Sequence, residues 1–424
     1  NPVSVSSFVP ALLVNSFILD GMKIRYVDQS VEPVIELECR DIRFAVRDFS
    51  PDRPFRISMR ASFTGSSPNV TFEGTGTVNT SRGSFLLKDS KLNIDLSLLS
   101  IEELRRSIPQ LKEISLPGQL KGKIKINVEQ LSAGPSGLVS LKADGALTEG
   151  SVTVKELSVP LDSIQSKFSL TETAFVFADT TFSLGKGAIA FSGEVRDYLK
   201  TQAFKFKTKL DGIDLAQCLD QSSYSVKVQG LVSGVIQGDG KGFDPNVLPA
   251  TMNAAGNLEI KEGRLVDMNV FKMVLDKLAF IPDLSGILEA NLPGQYKEKL
   301  KQKDTMITSL KLNASLSNGS INIQPIAMEA EGFLFEGTGT VGLDQNYYLN
   351  GSFVILQDMA SRMVESVSEL KLLQDETQQI RFPLKVSGKG KSVSFIPDVQ
   401  GLGVTVIKNK ASEELQKIFD KVFK

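Results

Sequence analysis

Apolar and polar residues alternate one by one along most of this chain, the period of strands that turn one face to a core and the other to water. The pattern is clearest in Leu310–Val341 (LKLNASLSNGSINIQPIAMEAEGFLFEGTGTV), where Ile321 and Ile323, then Phe333 and Phe335, share a side. Asn318-Gly319 separates two of these runs and predicts a two-residue hairpin, because both central positions of that turn need φ > 0. The design recurs. Leu141–Val154 (LKADGALTEGSVTV) follows the plan of Leu310–Ile323, Phe72–Val78 and Phe335–Val341 both read FEGTGTV, and Phe191–Val195 is a looser copy. Repetition sets architecture, and here it points to one β unit used several times. Hairpin-like turns are also predicted at Asp20-Gly21, Glu149-Gly150 and Glu262-Gly263, each leading into an alternating run.

Helical periods are few. Ser100 is placed to cap a short helix that ends at Pro109, with Glu103 completing a capping box. Asp214–Leu219 reads as a helical turn. Asp267 can cap a helix with Val270, Phe271, Val274, Leu275 and Leu278 on one side, and Asp358–Leu373 carries a stripe of Met359, Met363, Val367 and Leu370. The tail Ser412–Lys424 is amphipathic, with Leu415, Ile418, Phe419, Val422 and Phe423 on one face. Leu284–Lys303 reads as a mixed, charged loop and Gly238–Pro245 as a flexible linker. Parallel βαβ units would need a helix between most strands. The predicted fold is therefore mainly β: an elongated, curved, mostly antiparallel repeated sheet with a few short capping helices. Three segments are expected, 1–130, 131–245 and 246–424, the last holding most of the helices.

Composition narrows the chemistry. The 424 residues carry 48 Lys+Arg against 49 Asp+Glu, so no global positive field draws nucleic acid. There is no histidine, which removes Ser-His-Asp and Cys-His systems and the commonest zinc ligand. Cys39 and Cys218 alone cannot make a metal site, and they read as two separate buried thiols. The Gly238–Pro245 stretch lacks the closing Glu of an EF-hand, and Gly388–Ser392 lacks the first Gly of a P-loop. Lys121, Lys123 and Lys125 alternate with Ile124, Ile126 and Val128 and read as the solvated side of a strand. No run of 18 apolar residues is present, and a chain that starts at Asn1 leaves room for an anchor upstream. No active site and no cofactor are expected.

What remains is the apolar stripe. A long repeated sheet must bury that face against a second sheet, against helices, or against a non-protein ligand. Alternation places Phe72, Phe175, Phe177, Ile189, Phe191, Ile323, Phe333 and Phe335 on it as candidate lipid-groove residues. The alternative is a β-rich scaffold or interaction subunit of an envelope complex.

Three stretches resemble the AsmA-like family, relatives of the repeating β-groove lipid-transfer proteins of the Gram-negative envelope. They are Ser16–Asp28 (SFILDGMKIRYVD), Gly256–Leu278 (GNLEIKEGRLVDMNVFKMVLDKL), and Ile380–Gly388 (IRFPLKVSG) followed by Val393–Asp398 (VSFIPD). The resemblance implies a periplasmic protein anchored to the inner membrane upstream of residue 1. It implies phospholipid or another acyl lipid as partner, with other envelope proteins beside it, and a non-enzymatic role in lipid transport or outer-membrane assembly.

Overall fold

The computed structural model describes residues 13–29, 34–107, 120–154, 157–218, 227–244, 247–278, 281, 283–390 and 392–397. The predicted tail helix, Pro109 and Pro282 lie outside them. The protein is mainly β, as the alternation predicts. Among the described residues nineteen strands are joined in one sheet, and every pairing whose register is defined is antiparallel and links neighbours in sequence. Contacts divide the chain into two compact units. The first comprises Asn1–Leu184, Ala188–Phe206 and Lys241–Asp244, and the second Gly185–Gly187, Lys207–Gly240 and Pro245–Lys424.

The first unit is built mainly from β1 (Val14–Asp28), β2 (Ile35–Phe49), β3 (Phe55–Phe63), β4 (Val70–Asn79) and β5 (Ser84–Asp95). A 3₁₀ turn (Leu96–Leu98) and α1 (Ile101–Ser107) follow, then β6 (Lys121–Gly134), β7 (Gly137–Val152), β8 (Leu161–Thr171), β9 (Ala174–Leu184) and β10 (Gly187–Arg196). Ser100 caps α1 as expected, its Oγ accepting from the Glu103 N–H at 3.2 Å. β11 (Ala203–Asp214) has residues in both units and leads into α2 (Leu215–Cys218), where Asp214 Oδ1 accepts from the Ala216 and Gln217 N–H groups at 2.9 and 3.2 Å.

The second unit contains β12 (Lys227–Lys241), α3 (Leu248–Thr251), β13 (Asn253–Val266), α4 (Val270–Leu275), α5 (Leu284–Asn291), α6 (Gly294–Lys301) and β14 (Thr305–Ser317). It continues with β15 (Ser320–Ala330), β16 (Phe333–Gly342), β17 (Asn346–Ile355), α7 (Gln357–Ser366), a 3₁₀ turn (Ser368–Leu373), β18 (Ile380–Lys389) and β19 (Ser392–Pro397). Asn318-Gly319 is the expected two-residue hairpin, with φ of 49° and 70° between paired Ser317 and Ser320.

The other three acidic-Gly pairs are not hairpins. Asp20-Gly21, Glu149-Gly150 and Glu262-Gly263 lie inside β1, β7 and β13. One residue of each pair has positive φ (Gly21 68°, Glu149 56°, Glu262 51°). Adjacent register shifts at all three mark β-bulges, which bend a strand without ending it. Sequence shows that a left-handed residue is needed. It does not show whether the chain reverses there or only kinks.

Two other expectations are corrected. Leu284–Lys303 is largely α5 and α6, not a loop, and its apolar residues Leu284, Leu288, Leu292, Tyr296 and Leu300 are buried at helical spacing. The cap of α4 is Asn269, not Asp267. Its Oδ1 accepts from the Lys272 N–H at 2.9 Å, while its Nδ2 donates to the carbonyls of Lys299, Leu300 and Gln302, tying α4 to the end of α6. The predicted linker is shorter as well, because β12 extends to Lys241.

Candidate functional site

Register carries the apolar face across the first unit. Leu19, Phe44, Met59, Phe72, Leu92, Ile126, Gly145, Phe168 and Phe177 are successive cross-strand partners from β1 to β9. A parallel row runs through Ala61, Val70, Ile94, Ile124, Leu147 and Ser166. From β3 to β9 no residue registered on this face is charged. The Lys, Arg, Asp and Glu of these strands occupy the opposite face, where Lys123 meets Glu149 at 3.0 Å and Lys142 meets Glu129 at 2.6 Å.

Three hydroxyls interrupt the apolar face, and each is satisfied within the sheet. Ser90 Oγ donates to the Lys88 carbonyl at 2.9 Å and Thr180 Oγ1 to the Ala178 carbonyl at 3.0 Å. Ser166 Oγ and Thr180 Oγ1 are 2.6 Å apart. Ser90 lies beside positive-φ Asp89, at the shift in the β4–β5 register, so its hydroxyl fastens the bulge through a backbone bond two residues back.

The face is partly covered but not sealed. Phe72, Leu92, Ile126, Phe168, Phe175, Phe177 and Phe191 are all half-buried. Phe168, Phe175, Phe177 and Phe191 form an aromatic chain, with successive ring centroids 5.4, 4.3 and 6.1 Å apart. Phe175, Phe177 and Phe191 are thus brought together, Ile189 is buried on β10, and Phe72 lies farther along the same face. Among the described residues the only helical elements between β1 and β10 are α1 and the 3₁₀ turn before it.

The second unit treats its face differently. Phe333 and Phe335 are in a sealed core with α4 to α7. Phe333 stacks on Phe353 at 4.6 Å and on Phe271 at 5.9 Å, and Phe353 continues to Phe382 at 5.4 Å. Phe333 is 1% and Phe353 0% exposed. Helical side chains occupy the space an acyl chain would need, so these two residues do not line an open groove. Ile323 is buried farther along the face, opposite Ala314 and Gly339.

Alternation did not disclose what the repeated Phe-x-Gly element does. Phe72, Gly74 and Gly76 share a face of β4, and so do Phe335, Gly337 and Gly339 on β16. The missing side chains make room for rings. A Cβ on Gly145 would fall 2.4 Å from the Phe168 ring, one on Gly193 2.9 Å from the Phe191 ring, and one on Gly351 2.7 Å from the Phe335 ring. Each ring lies across a neighbouring glycine and covers its backbone, a known way of supporting glycine in strands. The spacing Phe-x-Gly signals this only for Phe72 with Gly74 and Phe191 with Gly193, since the rings beside Gly145 and Gly351 come from neighbouring strands.

Arg40 and Lys23 hydrogen-bond Glu38 and hold its carboxyl below the usual range, with Lys23 Nζ at 3.0 Å. No disulfide joins Cys39 and Cys218; Cys218 is buried as expected, Cys39 only half-buried, and burial raises both thiol pKa values. Among the described residues no cluster of acids and thiols is placed to hold a metal ion, and no helix is long and apolar enough to cross a membrane. No family model, curated protein or solved structure matches this chain.

Proposed function

We propose that the apolar face of the first unit holds the acyl chains of lipids, and that the protein is a non-enzymatic lipid-handling component of the bacterial envelope. One observation carries the reading: a face continuous in register over β3–β9, without a charge, with every interrupting hydroxyl internally bonded, and with Phe72, Leu92, Ile126, Phe168, Phe175 and Phe177 only half-buried. Such a surface loses nothing electrostatic when an acyl chain covers it. Each buried CH₂ contributes about 0.8 kcal/mol. Headgroups would stay in water, and the face offers them no charged partner, so the reading expects little discrimination among headgroups. A periplasmic location with an upstream inner-membrane anchor belongs to this proposal through the AsmA-like resemblance.

The test is purification under mild conditions with mass spectrometry of co-purifying lipid, for the natural chain and for Ile126→Asp and Phe191→Asp. Lipid on the natural chain, reduced at least tenfold in variants that keep the natural circular dichroism, supports the reading. A folded natural chain that carries no lipid and takes none from phospholipid vesicles overturns it in favour of a protein-binding scaffold.

A further inference from the structure

The outer face of the second unit carries a feature that lipid handling does not use. On β12–β15 the register places Val235, Asn257 and Asn313 in one cross-strand row and Gln237, Ala255, Ser315 and Asn322 in the next. The register shift between Ile323 and Ile326 adds Gln324 beside them. With Lys207, Gly256 and Ala314 these residues line a hollow of about 460 Å³. A second hollow of similar volume shares Asn257 and Asn313, runs on past Pro325 to Ala327, and is lined also by Leu258, Leu312 and the charged pair Glu259 and Lys311.

The side chains around the first hollow are unusual for an outer strand face. In the corresponding hollow of the first unit Arg47, Arg56 and Lys91 alternate with Glu73 and Asp89, and Arg56 is paired with Asp48 at 2.6 Å. Here five amides, Gln237, Asn257, Asn313, Asn322 and Gln324, make no side-chain hydrogen bond among the described residues. Lys207 is the only charged residue lining the hollow, and no carboxylate pairs with it among the described residues. The nearby Glu259 is occupied by Lys261 and Lys311 at 3.4 and 3.6 Å.

An amide presents a donor and an acceptor on one rigid plane. Adjacent strands set such planes about 4.8 Å apart. That array matches a ligand whose surface is itself closely spaced donors and acceptors without charge, which is the chemistry of sugar hydroxyls. We propose that this trough is a saccharide site. Its two hollows, joined at Asn257 and Asn313, suit an oligosaccharide over a single ring, and Lys207 favours a sugar bearing a carboxylate at that end. The site lies on the face opposite the apolar one and does not depend on the lipid reading.

The probes are a maltose-series tetramer, a chitin-series tetramer and a galacturonic acid tetramer, each read by saturation-transfer NMR on the full chain. The expected result is transfer to at least one probe, lost in Asn257→Ala/Asn313→Ala. Lys207→Gln is expected to weaken the acidic tetramer severalfold and leave a neutral one unchanged. An unchanged unfolding midpoint keeps loss of signal separate from loss of fold, and Asn257→Asp/Asn313→Asp offers a same-size second variant that should also lose a neutral probe. No transfer to any of the three, or transfer that survives both double variants, overturns the site.

Discussion

Phe177 in the first unit and Phe353 in the second sit on strands of the same kind, each with its ring among other rings on an apolar face. Phe353 is fully enclosed between neighbouring rings and the helices α4 to α7. Phe177 is half-buried, touches Phe175 and Phe191, and is not enclosed by the described helices. The strand design is shared, down to the FEGTGTV repeat, so the difference does not come from the strands. It comes from the chain between β13 and β14 and after β17, where the second unit has inserted helices with buried Leu, Phe and Met residues. One strand face can therefore serve as the wall of a conventional core or stay available, according to what the connections carry.

The largest effect expected is on the closed side. Phe353→Ala removes a fully buried ring and should cost about 3–5 kcal/mol in chemical denaturation. Phe177→Ala, whose ring is half covered already, should cost about 1 kcal/mol. Equal losses would break the comparison, because they would mean that the face of the first unit is sealed as well.

A smaller but sharper effect should follow from Gly145→Ala. Its Cβ would meet the Phe168 ring at 2.4 Å and the Lys125 carbonyl oxygen at 2.8 Å, and overpacking of this kind costs about 1–3 kcal/mol. Adding Phe168→Ala should recover only part of the loss, since the carbonyl remains. Full recovery would mean that the ring alone requires the glycine.

The smallest effect concerns the helical cover. Tyr296 of α6 donates to Asp358 of α7, and this hydrogen bond, with burial adding to it, raises the phenol pKa. The folded state thus favours the protonated phenol. The contribution is fully present below the unfolded tyrosine value of about 10 and is lost as pH rises through the folded value. The denaturation midpoint should fall in that alkaline window, and Tyr296→Phe should flatten the fall. An identical pH profile in the variant would show that the bond does not link the two helices energetically.

Legibility in the sequence followed the range of the interaction. Period-two alternation located most strands and assigned their faces, because side chains alternate across a strand whatever it packs against. The stripes of α4 and α7 were equally clear, and Met359, Met363, Val367 and Leu370 are all buried. The Leu284–Lys303 helices were missed because Pro293, Gly286 and Gly294 and a dense set of charges hid an apolar spacing that is visible once α5 and α6 are separated. Among the candidate site residues, Phe175 and Phe177 share a face as alternation predicts, and the structure adds Phe191 beside them. Phe333 and Phe335 were assigned to the right face with the wrong cover, since nothing local distinguishes a ring roofed by helices from one that is not.

By itself the sequence determined the secondary structure type, the inner and outer face of most strands, the Asn318-Gly319 reversal and the lack of charge on the inner side. These depend on backbone geometry and on neighbours one to four residues away. Only the tertiary structure decided that acidic-Gly pairs kink strands without reversing them, that rings lie over glycines on adjoining strands, and that helices close one apolar face while the described residues leave the other half-covered. Each of those depends on which distant segment fills the space beside a residue, and burial is a property of that space.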